Sequence, residues 1–409
     1  MWGQSQSATN FVYLDEATTS WPKAPGVLDA VTSALTLPPL AFDGDEPGHN
    51  ELIWECRERL ARLLNVPAAE SILLTSGATH ALNLALFGLG RHRGWRVVAS
   101  CADHESVLRP LRHLRGTRRA HLIIVGLDAT GDIDRESFAS ALERGTSLVV
   151  LPHASHVTGR VFDVAPLFRL ARSAGAQTLL NASQTVGEIP VHPEELGAHM
   201  VALTGHKRLR GPSGTGALYV APHVLLCRLF MGGARVCSGV VTEMPDLPAG
   251  FETGRPDIPA FAGLRAALRW HEESGAVCQR EGRRLGQLLR KGLRRIGGLR
   301  VLSDARRAPR VPIVSLLVTG QRVADVKANL EERFGIRCSS GLHCAPLIHK
   351  AIGSKPDGTV RLSLSGFNTE GQVRYALRAL RRIASESAGP RSYTLHGPLV
   401  EQHRARRGA

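Results

Sequence analysis

Residues 199–220 read HMVALTGHKRLRGPSGTGALYV, and the order of residue types there decides the fold. His199 to Leu203 is a short apolar strand that ends in Thr204-Gly205-His206-Lys207, ahead of the loop Gly211-Pro212-Ser213-Gly214-Thr215-Gly216. A lysine at the carboxyl end of a strand stands where a parallel sheet presents its ligand site. Its amine can form a Schiff base with an aldehyde cofactor, and burial lowers its pKa enough to make it nucleophilic. Taken alone the tetrapeptide is weak, because a lysine after a strand is ordinarily just solvated.

Outward from Lys207, the chain from about residue 50 to 220 alternates helix and short apolar strand. Leu52 to Leu64 reads as an amphipathic helix, and Ser71 to Thr75 as a strand leading through Ser76-Gly77-Ala78-Thr79 into a helix over His80 to Gly88. Apolar strands follow at Arg96 to Ser100, His121 to Val125, Ser147 to Leu151 and Gln177 to Leu180, separated by helices such as Ser137 to Glu143 and Val164 to Ala174. This alternation predicts an α/β protein, a mostly parallel sheet with helices on both faces. Beyond the Gly/Pro-rich passage Pro245 to Pro259 the pattern changes to a long helix, Ala260 to Ile296, with strands near Leu299 to Leu302 and Pro312 to Val318. A helix at Ala324 to Phe334, a glycine-rich loop and a last helix, Glu370 to Ala384, complete a smaller α+β unit. The expected division is a large domain over 25–245, a small one combining 1–24 with 246–384, and an aperiodic, disordered tail over 385–409.

Several strand ends carry chemistry-bearing residues. Ser76-Gly77-Ala78-Thr79 opens a helix, where free N–H groups and the dipole favour a phosphate; an ordinary strand-to-helix turn would read the same. His104, in Ala102-Asp103-His104-Glu105, follows a strand and could stack on a planar ring, although a lone histidine is more often a plain surface or core residue. Pro152-His153-Ala154-Ser155-His156-Val157-Thr158-Gly159 and Asn181-Ala182-Ser183-Gln184 end the next two strands.

Composition narrows the classes. The chain has 409 residues, too many for one small core, with 43% hydrophobic and 21% charged residues, as in an ordinary globular protein. No apolar run approaches a membrane span, and the first residues have neither a basic segment nor a signal core; a cytoplasmic protein is expected. The seven cysteines are odd in number and scattered without a CxxC pair, against both a disulfide framework and a metal site. The net charge of +15 comes from arginines dispersed over helices, with no nucleic-acid-binding module beside them, so a solvated basic face is the better reading.

Taken in order, LDEATT, TSGATHALN, DHESVLRPL, PHASHVTG, NASQT, TGHK, GPSGTGALYV, GLHCAPLIHKAIGSKPDGTVRLS and FNTE resemble the cysteine desulfurase-like group of class V aminotransferases over roughly residues 12 to 384. The resemblance implies fold type I of the pyridoxal-5′-phosphate (PLP) dependent transferases, the aspartate aminotransferase-like fold, and a homodimer. By it, Lys207 matches the Schiff-base lysine and His104 the ring that stacks on PLP. Ala78 and Thr79 match the phosphate loop, with Thr204 and His206 adding contacts, and Gln184 matches the glutamine near the phenolic oxygen. Cys344, in Gly341-Leu342-His343-Cys344-Ala345-Pro346, matches the cysteine that takes sulfur as a persulfide. Arg361, in Gly358-Thr359-Val360-Arg361, matches the arginine that grips the substrate carboxylate; without those motifs it would read as a strand-end arginine facing solvent.

The departures from the family pattern cluster at this site. Asn181 replaces the aspartate that pairs with the pyridine nitrogen and keeps the ring an electron sink. His156 replaces an asparagine near the ring and substrate carboxylate, and Ser339 an arginine ahead of the cysteine loop. Arg255 replaces a threonine that reaches the neighbouring subunit's phosphate, and Glu16 the first asparagine of LDNAATT. Since the covalent lysine survives, a PLP enzyme acting on cysteine or a related sulfur-bearing amino acid is the reading preferred. Sulfur would pass to Cys344 and on to an acceptor protein. The alternatives are a C–S lyase working by β-elimination on another substrate, and a non-catalytic paralogue with a structural or regulatory role.

Overall fold

The computed structural model describes residues 11–36, 47–89, 94–117, 119–142, 145–232, 247–302 and 308–386. Its strands in chain order are β1 (Val12–Tyr13), β2 (Ile72–Thr75), β3 (Trp95–Ser100), β4 (Ala120–Val125), β5 (Leu148–Pro152), β6 (Gln177–Asn181), β7 (Met200–Thr204) and β8 (Gly216–Val220), followed by β9 (Leu299–Val301), β10 (Ile313–Val318), β11 (Ile336–Arg337), β12 (Ser339–Gly341) and β13 (Thr359–Ser363).

The large sheet has seven strands in the order β2-β8-β7-β6-β5-β3-β4. Strands β3 to β7 run parallel, as their continuous apolar runs predict: LVVLP and MVALT are buried at every position because helices cover both faces. The sequence pattern did not single out β8, which lies antiparallel between β7 and β2. Only glycine serves at its first residue: a Cβ on Gly216 would stand 2.6 Å from the Gly77 Cα and 2.7 Å from the Leu203 carbonyl oxygen. The strand order reverses between β3 and β5, so the carboxyl ends of β3, β5, β6 and β7 open onto the crevice where such sheets bind ligands.

A second, antiparallel sheet runs β12-β13-β10-β9, covered by helices Ala276–Leu293, Val323–Phe334 and Glu370–Glu386. Leu285, Leu289 and Leu293, four residues apart, turn one face of the first of these helices into the core and leave most of its arginines on the other. β1 pairs parallel with β11, and Leu14 enters this second core, so the beginning of the chain lies beside residues near 336.

The long helix expected over Ala260 to Ile296 is interrupted. Helix Ile258–Trp270 gives way to a π turn, His271–Gly275, and then to helix Ala276–Leu293. At Gly275 a Cβ would come within 2.5 Å of the His271 Nδ1, so the glycine lets that ring fold over the turn. Phe261, Ala262, Leu264 and Leu268 of the first helix pack into the core of the large sheet, whereas Leu285, Leu289 and Leu293 of the second pack into the core of the small one. The last helix reaches Glu386, and the remainder of the expected tail lies outside the described residues. Among the described residues no helix is long and apolar enough to cross a membrane.

Candidate active site

A cavity of about 980 Å³ lies at the carboxyl ends of the parallel strands. One end of it suits an anion. Helix Ala78–Leu89 begins there, and Gly77 has φ of +142°, a conformation that a side chain would strain. Ala78, Thr79, Thr204 and His206 line the same cavity, so the free N–H groups of a helix N-terminus meet polar side chains at a β7 terminus. His80, which the sequence reading left unassigned, also lines it; its Nδ1 accepts from the Ser76 N–H at 3.3 Å and its Nε2 is buried without a protein partner.

The other end suits a flat ring. His104 caps the helix Glu105–Gly116, its Nδ1 accepting from the Ser106 N–H at 3.0 Å, which puts the ring proton on Nε2. Burial first, then the charges of Lys207 and Arg361, pull its pKa down to about 4, so the ring is neutral. Asn181 ends β6 with Oδ1 accepting from the Ser183 N–H at 3.2 Å and hydroxyl at 2.6 Å; the end of the amide left over is therefore a donor. Gln184 donates from Nε2 to the Ala17 carbonyl at 2.9 Å and leaves Oε1 buried without a protein partner. Lys207 is half-buried in the cavity lining, and burial, followed by the Arg361 and Arg208 cations, lowers its pKa to about 8.

Cys344 is the exposed cysteine among the described ones. It does not line the cavity, but its carbonyl accepts from the Glu105 N–H at 2.8 Å, next to His104. His343 and Cys344 both have left-handed backbone, φ of +50° and +56°. His156 lines the cavity, and its Nε2 donates to the His343 carbonyl at 2.9 Å. Arg361 sits inside β13, buried rather than at a solvated strand end. It donates to the His156 carbonyl (3.0 Å), Thr18 Oγ1 (2.7 Å) and Asp15 Oδ1 (3.1 Å). Asp15, two residues past β1, is a partner that the sequence reading passed over although it lies in the LDEATT motif.

The remaining expected residues stand apart from the cavity lining. Glu16 is buried in a two-point pair with Arg210 (3.1 and 3.2 Å) and accepts from Ser365 Oγ at 3.1 Å. Ser339 meets His343 Nδ1 at 3.3 Å. Arg255 is exposed three residues beyond Glu252, whose carboxylate pairs with Arg57 and accepts the Leu74 N–H.

A two-core α/β fold with a cavity lysine after a strand terminus, beside a helix N-terminus, defines a class, and the chain belongs to it: residues 12–375 match the class-V aminotransferase family. Within that family it is similar to proteins described as probable cysteine desulfurases. One from Methanothermobacter thermautotrophicus is 32% identical over 340 residues, 81% of this chain and 84% of that protein. One from Pseudomonas aeruginosa is 31% identical over 393 residues, 92% and 94% of the two chains. Among solved structures, the apo cysteine desulfurase of Thermococcus onnurineus superposes with a TM-score of 0.83 at 25% identity, covering 92% of this chain and 95% of that one.

Proposed function

We propose that this chain is a PLP-dependent enzyme that takes sulfur from cysteine or a related sulfur-bearing amino acid and passes it to Cys344. The observation that carries the reading is the half-buried, pKa-lowered Lys207 in a cavity with Cys344 exposed on the loop beside His104. The residues present fit the cofactor. Gly77, Ala78, Thr79, Thr204 and His206 would hold its phosphate, His104 one face of its ring, and the orphaned Gln184 Oε1 would accept from its hydroxyl. Lys207 Nζ would bind its aldehyde.

Once bound, the cofactor supplies an electron sink for the carbon that loses sulfur. Lys207 would be the base that moves the substrate α-proton, because its lowered pKa lets it be neutral and then protonated near neutral pH. The Cys344 thiolate attacks the substrate sulfur, and the carbon–sulfur bond breaks with its electron pair left on carbon, which takes a proton. The sum is cysteine plus a Cys344 thiol giving alanine plus a Cys344 persulfide, whose outer sulfur an acceptor protein or a reductant removes. Arg361, held by Asp15 and Thr18, is the carboxylate-gripping residue, and its Nε is buried without a partner.

The domain division and the homodimer belong to the same reading. The exposed apolar residues Leu225, Phe230 and Met231, with Arg228 stacked over Phe251 at 5.7 Å, support a subunit interface there. Arg255 would reach the neighbouring subunit's phosphate across it, and sedimentation of the cofactor-loaded protein tests the pairing.

The experiment for the reaction is to add L-cysteine to the purified, PLP-loaded protein and identify the carbon product. Alanine, with loss of sulfur release in Cys344→Ser, supports desulfuration. His156 and Ser339 favour a second reading, β-elimination on another substrate, whereas the neutral Asn181 amide, which weakens the electron sink that both reactions need, favours the non-catalytic paralogue. From cysteine, β-elimination yields pyruvate, ammonia and sulfide, and it survives Cys344→Ser. A protein that binds PLP yet turns over nothing would instead be the non-catalytic paralogue.

A further inference from the structure

His156 and Ser339 both depart from the family pattern, they lie 183 residues apart in the chain, and in the structure they meet the same side chain's residue, His343. His156 grips its backbone: a carbonyl can only accept, so the His156 Nε2 carries a proton and donates it over 2.9 Å. Ser339 grips its ring. His343 Nε2 faces the Thr359 carbonyl at 3.1 Å and Thr359 Oγ1 at 2.8 Å, so Nε2 is the protonated nitrogen. The bare Nδ1 then accepts from the Ser339 hydroxyl at 3.3 Å.

The arrangement closes on itself. Thr359 Oγ1 donates to Ser315 Oγ at 3.1 Å, and Ser315 donates to the Val157 carbonyl at 2.6 Å, the residue after His156. The carbonyls around the cysteine are all taken. Leu342 accepts from His349 Nε2 (3.0 Å), His343 from His156, and Cys344 from the Glu105 N–H (2.8 Å). Two successive side-chain-bearing residues in left-handed backbone persist only where surrounding contacts over-determine them. These contacts are that constraint.

We propose that His156 and Ser339 are positioning residues that lock His343, and through it hold Cys344 in its left-handed turn beside the cavity, so that the thiol is presented by a rigid loop and not a mobile one. The proposal rests on the reading of Cys344 as the sulfur acceptor for its use, and on the hydrogen bonds alone for its geometry. His156 also stands edge-on to His104, ring centroids 5.1 Å apart, so the lock is continuous with the ring that faces the cofactor. Burial keeps His156 neutral, and the same donor is offered across the physiological pH range.

The test compares His156→Asn, His156→Gln and Ser339→Ala in the PLP-loaded protein. An asparagine amide reaches only as far as an imidazole Nδ1, whereas a glutamine amide reaches the place of Nε2. His156→Asn should speed amide hydrogen exchange over residues 340–345 and lower kcat, each by about tenfold, with KM and the cofactor absorbance unchanged. Ser339→Ala should do the same more weakly, and His156→Gln should restore most of both. If His156→Asn leaves exchange unchanged, or if His156→Gln is as defective as His156→Asn, the lock is wrong. A fall in kcat without faster exchange also overturns it, because His156 would then act on substrate directly. If exchange responds as expected but the wild-type protein releases no sulfur from cysteine, the lock stands and the desulfurase reading falls.

Discussion

Lys207 feels an environment unlike that of a surface lysine. Burial and the neighbouring Arg361 and Arg208 lower its pKa from 10.5 to about 8. Only the neutral amine attacks an aldehyde, and neutral amine grows as pH rises. At pH 7 the shift raises its fraction roughly 300-fold. The rate of PLP uptake by cofactor-free protein should therefore climb through pH 7 to 9 with a midpoint near 8, read by absorbance in stopped flow; a rate still climbing steeply at pH 10 would contradict the buried environment. Lys207→Ala should lose the cofactor band while keeping the fold. Asn181 offers a second test at this scale. Asn181→Asp should raise alanine formation roughly tenfold, as a restored carboxylate holds the pyridine nitrogen protonated. A fall in turnover would mean that the neutral amide belongs to a different mechanism, and the desulfurase assignment would go.

At the scale of elements, the site depends on β8 and the phosphate loop approaching more closely than side chains allow. Gly216 lies beside Thr204 of β7 and Thr75 of β2, with the Gly77 Cα and the Leu203 carbonyl crowding the space of its missing Cβ. Gly216→Ala should push strand and loop apart, costing about 1–3 kcal/mol by overpacking. Urea unfolding measures that loss, and the displaced loop should weaken PLP retention at the same time. A variant that is less stable but retains PLP normally would mean that the loop follows the strand without losing its shape.

Across the whole molecule, Glu16 ties the parts together. It lies on the segment after β1, pairs with Arg210 beyond Lys207, and accepts from Ser365 after β13, so one carboxylate joins the beginning of the chain to both sheets. Both side chains of the pair are buried. Glu16→Gln keeps the shape but leaves the Arg210 cation uncompensated, and should cost about 3–5 kcal/mol, measurable in urea. A change below about 1 kcal/mol would place the pair among those that contribute little net stability.

Much of this was legible in the chain itself, and the reason is locality. Apolar runs such as VALT and LVVL read as buried strands, the turns after them carry their own glycines and helix starts, and Lys207 and His104 stand out after strand ends, while Gln184 was picked out by the family resemblance. The π turn at His271–Gly275 and strand β8 escaped it, since a helix pattern runs unbroken through one and a glycine-rich loop conceals the other. The departures from the family pattern were visible as residue types but not as roles. Glu16 had no visible partner until Arg210, 194 residues away, was brought beside it. Nor could His156, in the turn after β5, and Ser339, in β12, be joined from the sequence, where 183 residues separate them. Sequence by itself determined which chemistry was present and on which strand ends, because those depend on neighbours a few residues apart. Tertiary structure alone decided what each substituted side chain touches, because a hydrogen bond requires approach within about 3 Å, and only the folding of the whole chain brings residues so distant in sequence that close.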